Sequence, residues 1–243
     1  ALLMNEFRKA EFITFDIETG NAGIEHVESK MASWKPPKNI KDPAKIEAKR
    51  VEAADKAADK AALLDASPVI CITLTSDIGS VAIDGMSSDK WELEGWTVIS
   101  NEGEANLLKE LAALLALMTD ERTELVGHNV IGFDLPKLRN AYLRHRLPMP
   151  DSLMPRAGAN QPVYDTMSMF TRYYSMQHRG NPFCSMDAMA DSLGIERHKS
   201  IISGADVPRM AEEGKHQEIT TYCALDTLVT HKAFLMMTGR LTT

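Results

Sequence analysis

Phe12-Ile13-Thr14-Phe15-Asp16-Ile17-Glu18-Thr19-Gly20 decides the fold. Residues 12–17 are apolar or β-branched apart from Asp16 and read as a central strand, which ends in two carboxylates and a glycine. Side chains alternate along a strand, so Asp16 and Glu18 point to the same side. Two like charges at the end of a buried strand repel, and desolvation sharpens the repulsion. The usual reason to keep such a pair is a divalent cation, because hard cations prefer carboxylate oxygens. A cation held by this pair needs further ligands from the rest of the chain.

The bulk properties set the frame. The chain has 243 residues, 44% hydrophobic and 25% charged, which fits one globular domain over 1–243. No apolar run is long enough to cross a bilayer, so no membrane association is expected. Residues 1–10 lack the basic, apolar, small order of a signal peptide. Cys71, Cys184 and Cys223 form no Cys-x-x-Cys pair, and a reducing, cytoplasmic setting is the expectation. The net charge of −7 argues against a broad non-specific nucleic-acid surface but leaves room for a local one.

After Gly20 the pattern breaks, and residues 21–67 read as a helical and loop insertion between the first two strands. Residues 21–43 are expected to be loop or extended chain, because Pro36, Pro37 and Pro43 forbid a long helix. Asp42-Pro43 reads as a helix start, a capping carboxylate followed by proline at the first helical position. Residues 44–64 then form an alanine-rich helix, which reads as solvated; the Trp34–Lys45 stretch, with Lys35, Lys38, Lys41 and Lys45, reads as a backbone contact for a nucleic acid.

Further strands are expected at Val69–Thr75, Ser80–Ile83 and Glu124–Gly127, with a short one near Thr97–Ile99 and another at Val163–Asp165. Asn101 and Glu104 suggest a reciprocal cap for a helix whose stripe is Leu107, Leu108, Leu111, Leu114, Leu115 and Met118. Asp134 starts the next helix, and short helices precede Gly194 and Gly214. His216–Met237 is the last long helix; Tyr222 and Asp226 lie one turn apart on one face of it, and Cys223 lies next to the site but off that face, as a structural residue.

Asp16-Ile17-Glu18-Thr19, Asn129-x-x-x-Phe133-Asp134 and Tyr222-x-x-x-Asp226, in that order, resemble the three motifs of the DnaQ-like (DEDD) 3′–5′ exonucleases. Tyr222, four before the last Asp, matches the DEDDy subgroup. Stand-alone phage or bacterial enzymes related to polymerase B proofreading domains are the nearest likeness. Tyr164-Asp165-Thr166 and residues 186–195 are softer matches.

The resemblance implies an RNase H-like α/β fold with a mixed five-stranded sheet and helices on both faces. Three strands would form an antiparallel meander, and two later ones would run parallel to the first. It implies Asp16, Glu18, Asp134 and Asp226 as ligands of two divalent cations, Mg²⁺ or Mn²⁺, with Tyr222 aiming the attacking water. Ile17 and Thr19 would receive the terminal nucleotide through their backbone, and Phe133 would reach a base or sugar. Asn129 either caps the turn or binds substrate. Arg197 and Lys199 are phosphate contacts or plain surface residues. His128 is read as packing, and Met167, Met169 and Met176 as core. The implied partner is a nucleic-acid 3′ end, single-stranded DNA favoured, with a polymerase or a replication or repair protein beside it. An RNase D-like exoribonuclease and a non-catalytic nucleic-acid-binding module are the alternatives.

Overall fold

The computed structural model describes residues 9–21, 24–61, 67–155, 162–174, 183–196 and 202–241. Strand β1 (Phe12–Thr19) lies inside the sheet, as its apolar run requires. It pairs antiparallel with β2 (Val69–Ser76), which turns through Asp77-Ile78 into antiparallel β3 (Gly79–Asp84). On its other side β1 pairs in parallel with β5 (Glu124–Gly127), and β5 with β6 (Val163–Asp165). This is the expected meander followed by two parallel strands. The sheet has six strands rather than five, because β4 (Thr97–Ser100) adds in parallel to β3 at the edge, giving the order β4-β3-β2-β1-β5-β6. A four-residue edge strand makes a weak sequence signal, and its pairing partner decides its status.

The insertion holds two helices. Helix α1 (Ile24–Ala32) occupies a stretch expected to be loop; the prolines begin only at Pro36, so one short helix fits ahead of them. Helix α2 (Pro43–Ala61) starts where Asp42 indicates: its Oδ1 accepts the Ala44 N–H at 3.0 Å.

Helices α3 (Glu104–Met118) and α4 (Asp134–His145) cover one face of the sheet. Leu107, Leu108, Leu111 and Leu115 pack there with Ile13, Phe15 and Ile17 of β1 and with Leu135, Leu138 and Tyr142 of α4. The expected reciprocal cap on α3 is absent. Gly103 takes the cap position at φ 101°, and Asn101 donates instead to Glu110. Glu104 accepts from the Val69 N–H at 2.7 Å, from Arg144 at 2.8 Å and from His145 at 2.7 Å, tying β2, α3 and α4 together.

The opposite face carries α5 (Thr166–Tyr174), α6 (Met186–Leu193), α7 (Val207–Glu212) and the 22-residue α8 (His216–Met237). Gly194 ends α6 in the left-handed conformation, and the Ser185 side chain caps its start. Helix α8 buries Ile219, Cys223, Ala224, Thr227, Thr230 and Phe234, spacings of three and four that form a single stripe. No described helix is long and apolar enough to cross a membrane.

Candidate active site

Alternation along β1 sends Ile13, Phe15 and Ile17 into the α3/α4 core and leaves Thr14, Asp16 and Glu18 facing α8. At the carboxylate end the ladder to β2 is irregular: Glu18 pairs with Cys71 and Thr19 with Val69, so Ile70 is an extra residue. Such an irregularity re-aims the neighbouring side chains at a strand end. Pairing also sets Glu18, Cys71 and Asp84 in one row across β1, β2 and β3.

Asp134, the first residue of α4, reaches the same pocket at the end of the loop after β5. That loop is tightly folded. A Cβ on Gly127 would lie 2.6 Å from Val130 Cβ, so only glycine lets the chain turn back there. Asn129 takes φ 60°, and its carbonyl accepts the Gly132 and Phe133 amides. Asp165 holds the loop from beneath. Its carboxylate accepts the Asn129 and Ile131 N–H groups, each at 3.1 Å, and those of Met167 and Ser168 in the first turn of α5.

Asp134 is 3% exposed and accepts a hydrogen bond from the Ile17 amide, yet its Oδ1 is buried without a hydrogen-bond partner. Burial pushes its pKa up to about 7, against the lowering effect of its own and the Ile17 amide. The carboxyls of Asp16 and Glu18 are raised well above the usual range. Burial is the first cause for both, followed for Asp16 by the charges of Asp134, Glu18 and Asp226, and for Glu18 by those of Asp226 and Asp134. The four carboxylates of the sequence motifs therefore share one pocket.

Tyr222 and Asp226 complete it from α8. The Tyr222 hydroxyl donates to Asp226, and burial together with the surrounding negative charge keeps the phenol protonated far above neutrality. Cys223 is closer to the site than its helix position suggests. Its Sγ lies 3.6 Å from Asp16 Oδ2 and 3.2 Å from Thr73 Oγ1. Donor atoms of Asp16, Glu18 and Cys223 all fall within 4.8 Å of one another.

An oxygen-rich donor set, mutually repelling carboxylates and a buried carboxylate oxygen without a partner together fit a hard divalent cation. Beside the pocket a cleft of about 940 Å³ runs between α6, residues 202–204 and the Tyr222, Leu225, Asp226 and Val229 side of α8.

The remaining sequence candidates are placed differently. Ile17 is core, and its amide is bonded to Asp134. Thr19 is buried beside the ladder irregularity. Phe133 packs against the α3/α4 core, and Asn129 shapes the loop with its side chain lying over Gly132. His128 bonds Thr166 and the Cys184 carbonyl, a packing role as expected. Arg197, Lys199 and Met176 lie outside the described residues.

Two supports were not read from sequence in these roles. Asp165 had a signal, an Asp directly ahead of a helix. Asp84, fully buried, accepts from Trp91 Nε1 and lies 2.6 Å from His216 Nδ1, anchoring the start of α8.

The sheet order and its acidic pocket define an α/β nuclease of RNase H-like fold. A family model described as "Predicted 3'-5' exonuclease related to the exonuclease domain of PolB" matches residues 78–243, and the chain belongs to that family of DnaQ-like 3′–5′ exonucleases. No curated protein matches the chain. The matched region holds Asp134, Tyr222 and Asp226, while Asp16 and Glu18 lie before it and join the pocket through the pairing of β1 with β2 and β5.

Proposed function

We propose that the protein is a DEDDy-type, divalent-cation-dependent exonuclease that hydrolyses the 3′-terminal phosphodiester of single-stranded DNA and releases nucleoside 5′-monophosphates. The observation that carries this reading is the orphan oxygen of buried Asp134, in the pocket shared with Asp16, Glu18 and Asp226 beside the Tyr222 hydroxyl.

Asp16, Glu18 and Asp226 would hold one cation, and Asp16 with Asp134 a second. Such cations, Mg²⁺ or Mn²⁺, supply activation of water and stabilisation of the departing 3′ oxygen. Without them the pKa values of Asp16, Glu18 and Asp134 are raised, so cation binding competes with protons at this pocket. Tyr222 keeps its own proton, so it orients the attacking water by hydrogen bonding and does not serve as the base. The apolar side of the cleft, with Leu225 and Val229, suits the bases of an unpaired end.

The test is digestion of 5′-labelled DNA and RNA single strands with Mn²⁺. A ladder that shrinks from the 3′ end on DNA supports the reading. Preference for RNA moves it to an exoribonuclease. Absence of hydrolysis on both, with Mn²⁺ bound or not, overturns it. Asp16→Ala and Asp226→Ala abolish the activity in folded protein, and Tyr222→Phe lowers turnover more than binding.

A further inference from the structure

The insertion that separates β1 from β2 lies wholly outside the family-matched region and carries a charge unlike the rest of the chain. Between Lys30 and Arg50 there are seven basic residues against two acidic ones, while the remainder holds twenty basic against thirty-two acidic. Of those basic residues, Lys49 and Arg50 face carboxylates on α2 itself. Lys30, Lys35, Lys38, Lys41 and Lys45 are exposed and form no ion pair among the described residues. Asp42 is turned into the α2 cap. Trp34, partly exposed, sits among these lysines.

Both ends of the segment are rooted at the pocket. The Gly20 amide donates to the Pro68 carbonyl at 2.9 Å, two residues beyond Glu18, and the Asn21 side chain bonds Glu212 of α7.

We infer that this basic arm is a second nucleic-acid contact, which holds the sugar-phosphate backbone of the substrate strand away from its 3′ end. The inference rests on the proposed function. A run of exposed lysines with one aromatic residue matches the needs of a single strand, charge along the backbone and a ring face for a base. A membrane surface is the poorer match, because residues 35–41, Lys-Pro-Pro-Lys-Asn-Ile-Lys, form no helix and so no amphipathic face. The arm thus offsets the local effect of an acidic chain that otherwise repels its substrate.

The test is binding of a 5′-labelled 20-mer and a 3-mer of single-stranded DNA, read by fluorescence anisotropy in Ca²⁺ across a salt series. The proteins compared are wild type, the K35Q/K38Q/K41Q/K45Q variant and a control, K90Q/K109Q, altered at exposed lysines elsewhere. The four-site variant is expected to bind the 20-mer about tenfold or more weakly at low salt. Its log–log salt slope falls by about 2–3, at roughly 0.7 per lost phosphate contact. The 3-mer and the control show no comparable change. An unchanged slope, or an equal loss for the 3-mer, overturns the inference, as does retention of the arm on anionic vesicles in place of DNA. Hydrolysis by wild-type protein in Mn²⁺ separates the two readings: an active enzyme with an unchanged slope loses only the arm.

Discussion

The two faces of β1 do different work. On one, Ile13, Phe15 and Ile17 meet the leucines of α3 and the apolar stripe of α4. On the other, Thr14 lies 2.9 Å from His231, Asp16 touches Cys223, and neighbouring Thr73 of β2 meets Thr227 at 2.6 Å. Apolar burial is non-directional and supplies free energy. Buried hydroxyl pairs add little net stability but demand geometry. One strand therefore carries a face that holds the fold and a face that fixes where α8, with Tyr222 and Asp226, sits over Asp16 and Glu18.

That division can be broken by cutting each face in turn. Leu111→Ala, at a position 1% exposed, should cost about 2–5 kcal/mol by emptying the α3 core. The rate per folded molecule should stay within about twofold. Asp16→Asn should do the opposite, raising the thermal midpoint of the cation-free protein at neutral and higher pH while removing activity, because it takes out a carboxyl whose ionisation the pocket opposes. Urea titration paired with active-fraction measurement checks both. A folded Leu111→Ala protein that has lost its turnover breaks the division.

The next effect is on pH. The Asp134 pKa rises from 3.8 to about 7 on folding, and those of Asp16 and Glu18 rise as well. Between about pH 4 and 7 the native state then holds more protons than the unfolded chain. The stability these carboxyls contribute falls as pH increases through that window, while partly buried His128 and His231, whose pKa values are lowered, add a smaller opposite change. For the cation-free protein the drop should be roughly 3 kcal/mol, about 6–12 °C in Tm. Mn²⁺ should flatten it, since the cations replace the protons. Thermal melts at pH 5 and pH 8 in chelator and in Mn²⁺ measure this. Asp134→Asn isolates the pocket: a variant whose chelated pH 5 to pH 8 change equals that of wild type contradicts the shared pocket.

How much of this was legible follows the range of the interactions. The β1 alternation, the α3 leucine stripe and the Asp42-Pro43 start are local, and each appears in the structure as the spacing indicates. The α1 helix was hidden because the prolines of a later stretch coloured the whole segment. Edge strand β4 was readable as a strand but not as a sheet member, since parallel pairing with β3 leaves no turn signal between them. Asp84 and His216 are 132 residues apart, and nothing local marks either as the anchor of α8. Helix geometry places Cys223 beside the site, but how close it comes is a tertiary matter. The helix wheel turns it off the Tyr222/Asp226 side, but α8 lies across the sheet so that this other side is the one pressed on Asp16. The carboxylates were legible because buried like charges need a reason. The residues that steer them were not, because steering is a tertiary property.

The smallest predicted effect is the sharpest test of the second face. Thr73 and Thr227 are both fully buried, and their hydroxyls bond each other across the β2–α8 contact. Thr227→Val alone leaves the Thr73 hydroxyl with only the weak Cys223 sulfur beside it and should cost about 1–2 kcal/mol. Thr73→Val with Thr227→Val removes both polar partners and keeps their shape, so stability should return to within about 0.5 kcal/mol of wild type. If the pair serves only stability, turnover returns with it. If it places α8, turnover of the double variant stays a few-fold below wild type, because an apolar contact lets the helix slide by fractions of an ångström while Tyr222 and Asp226 travel with it. Rate and stability measured on the same three proteins separate these outcomes, and full recovery of both would reduce the polar face to packing.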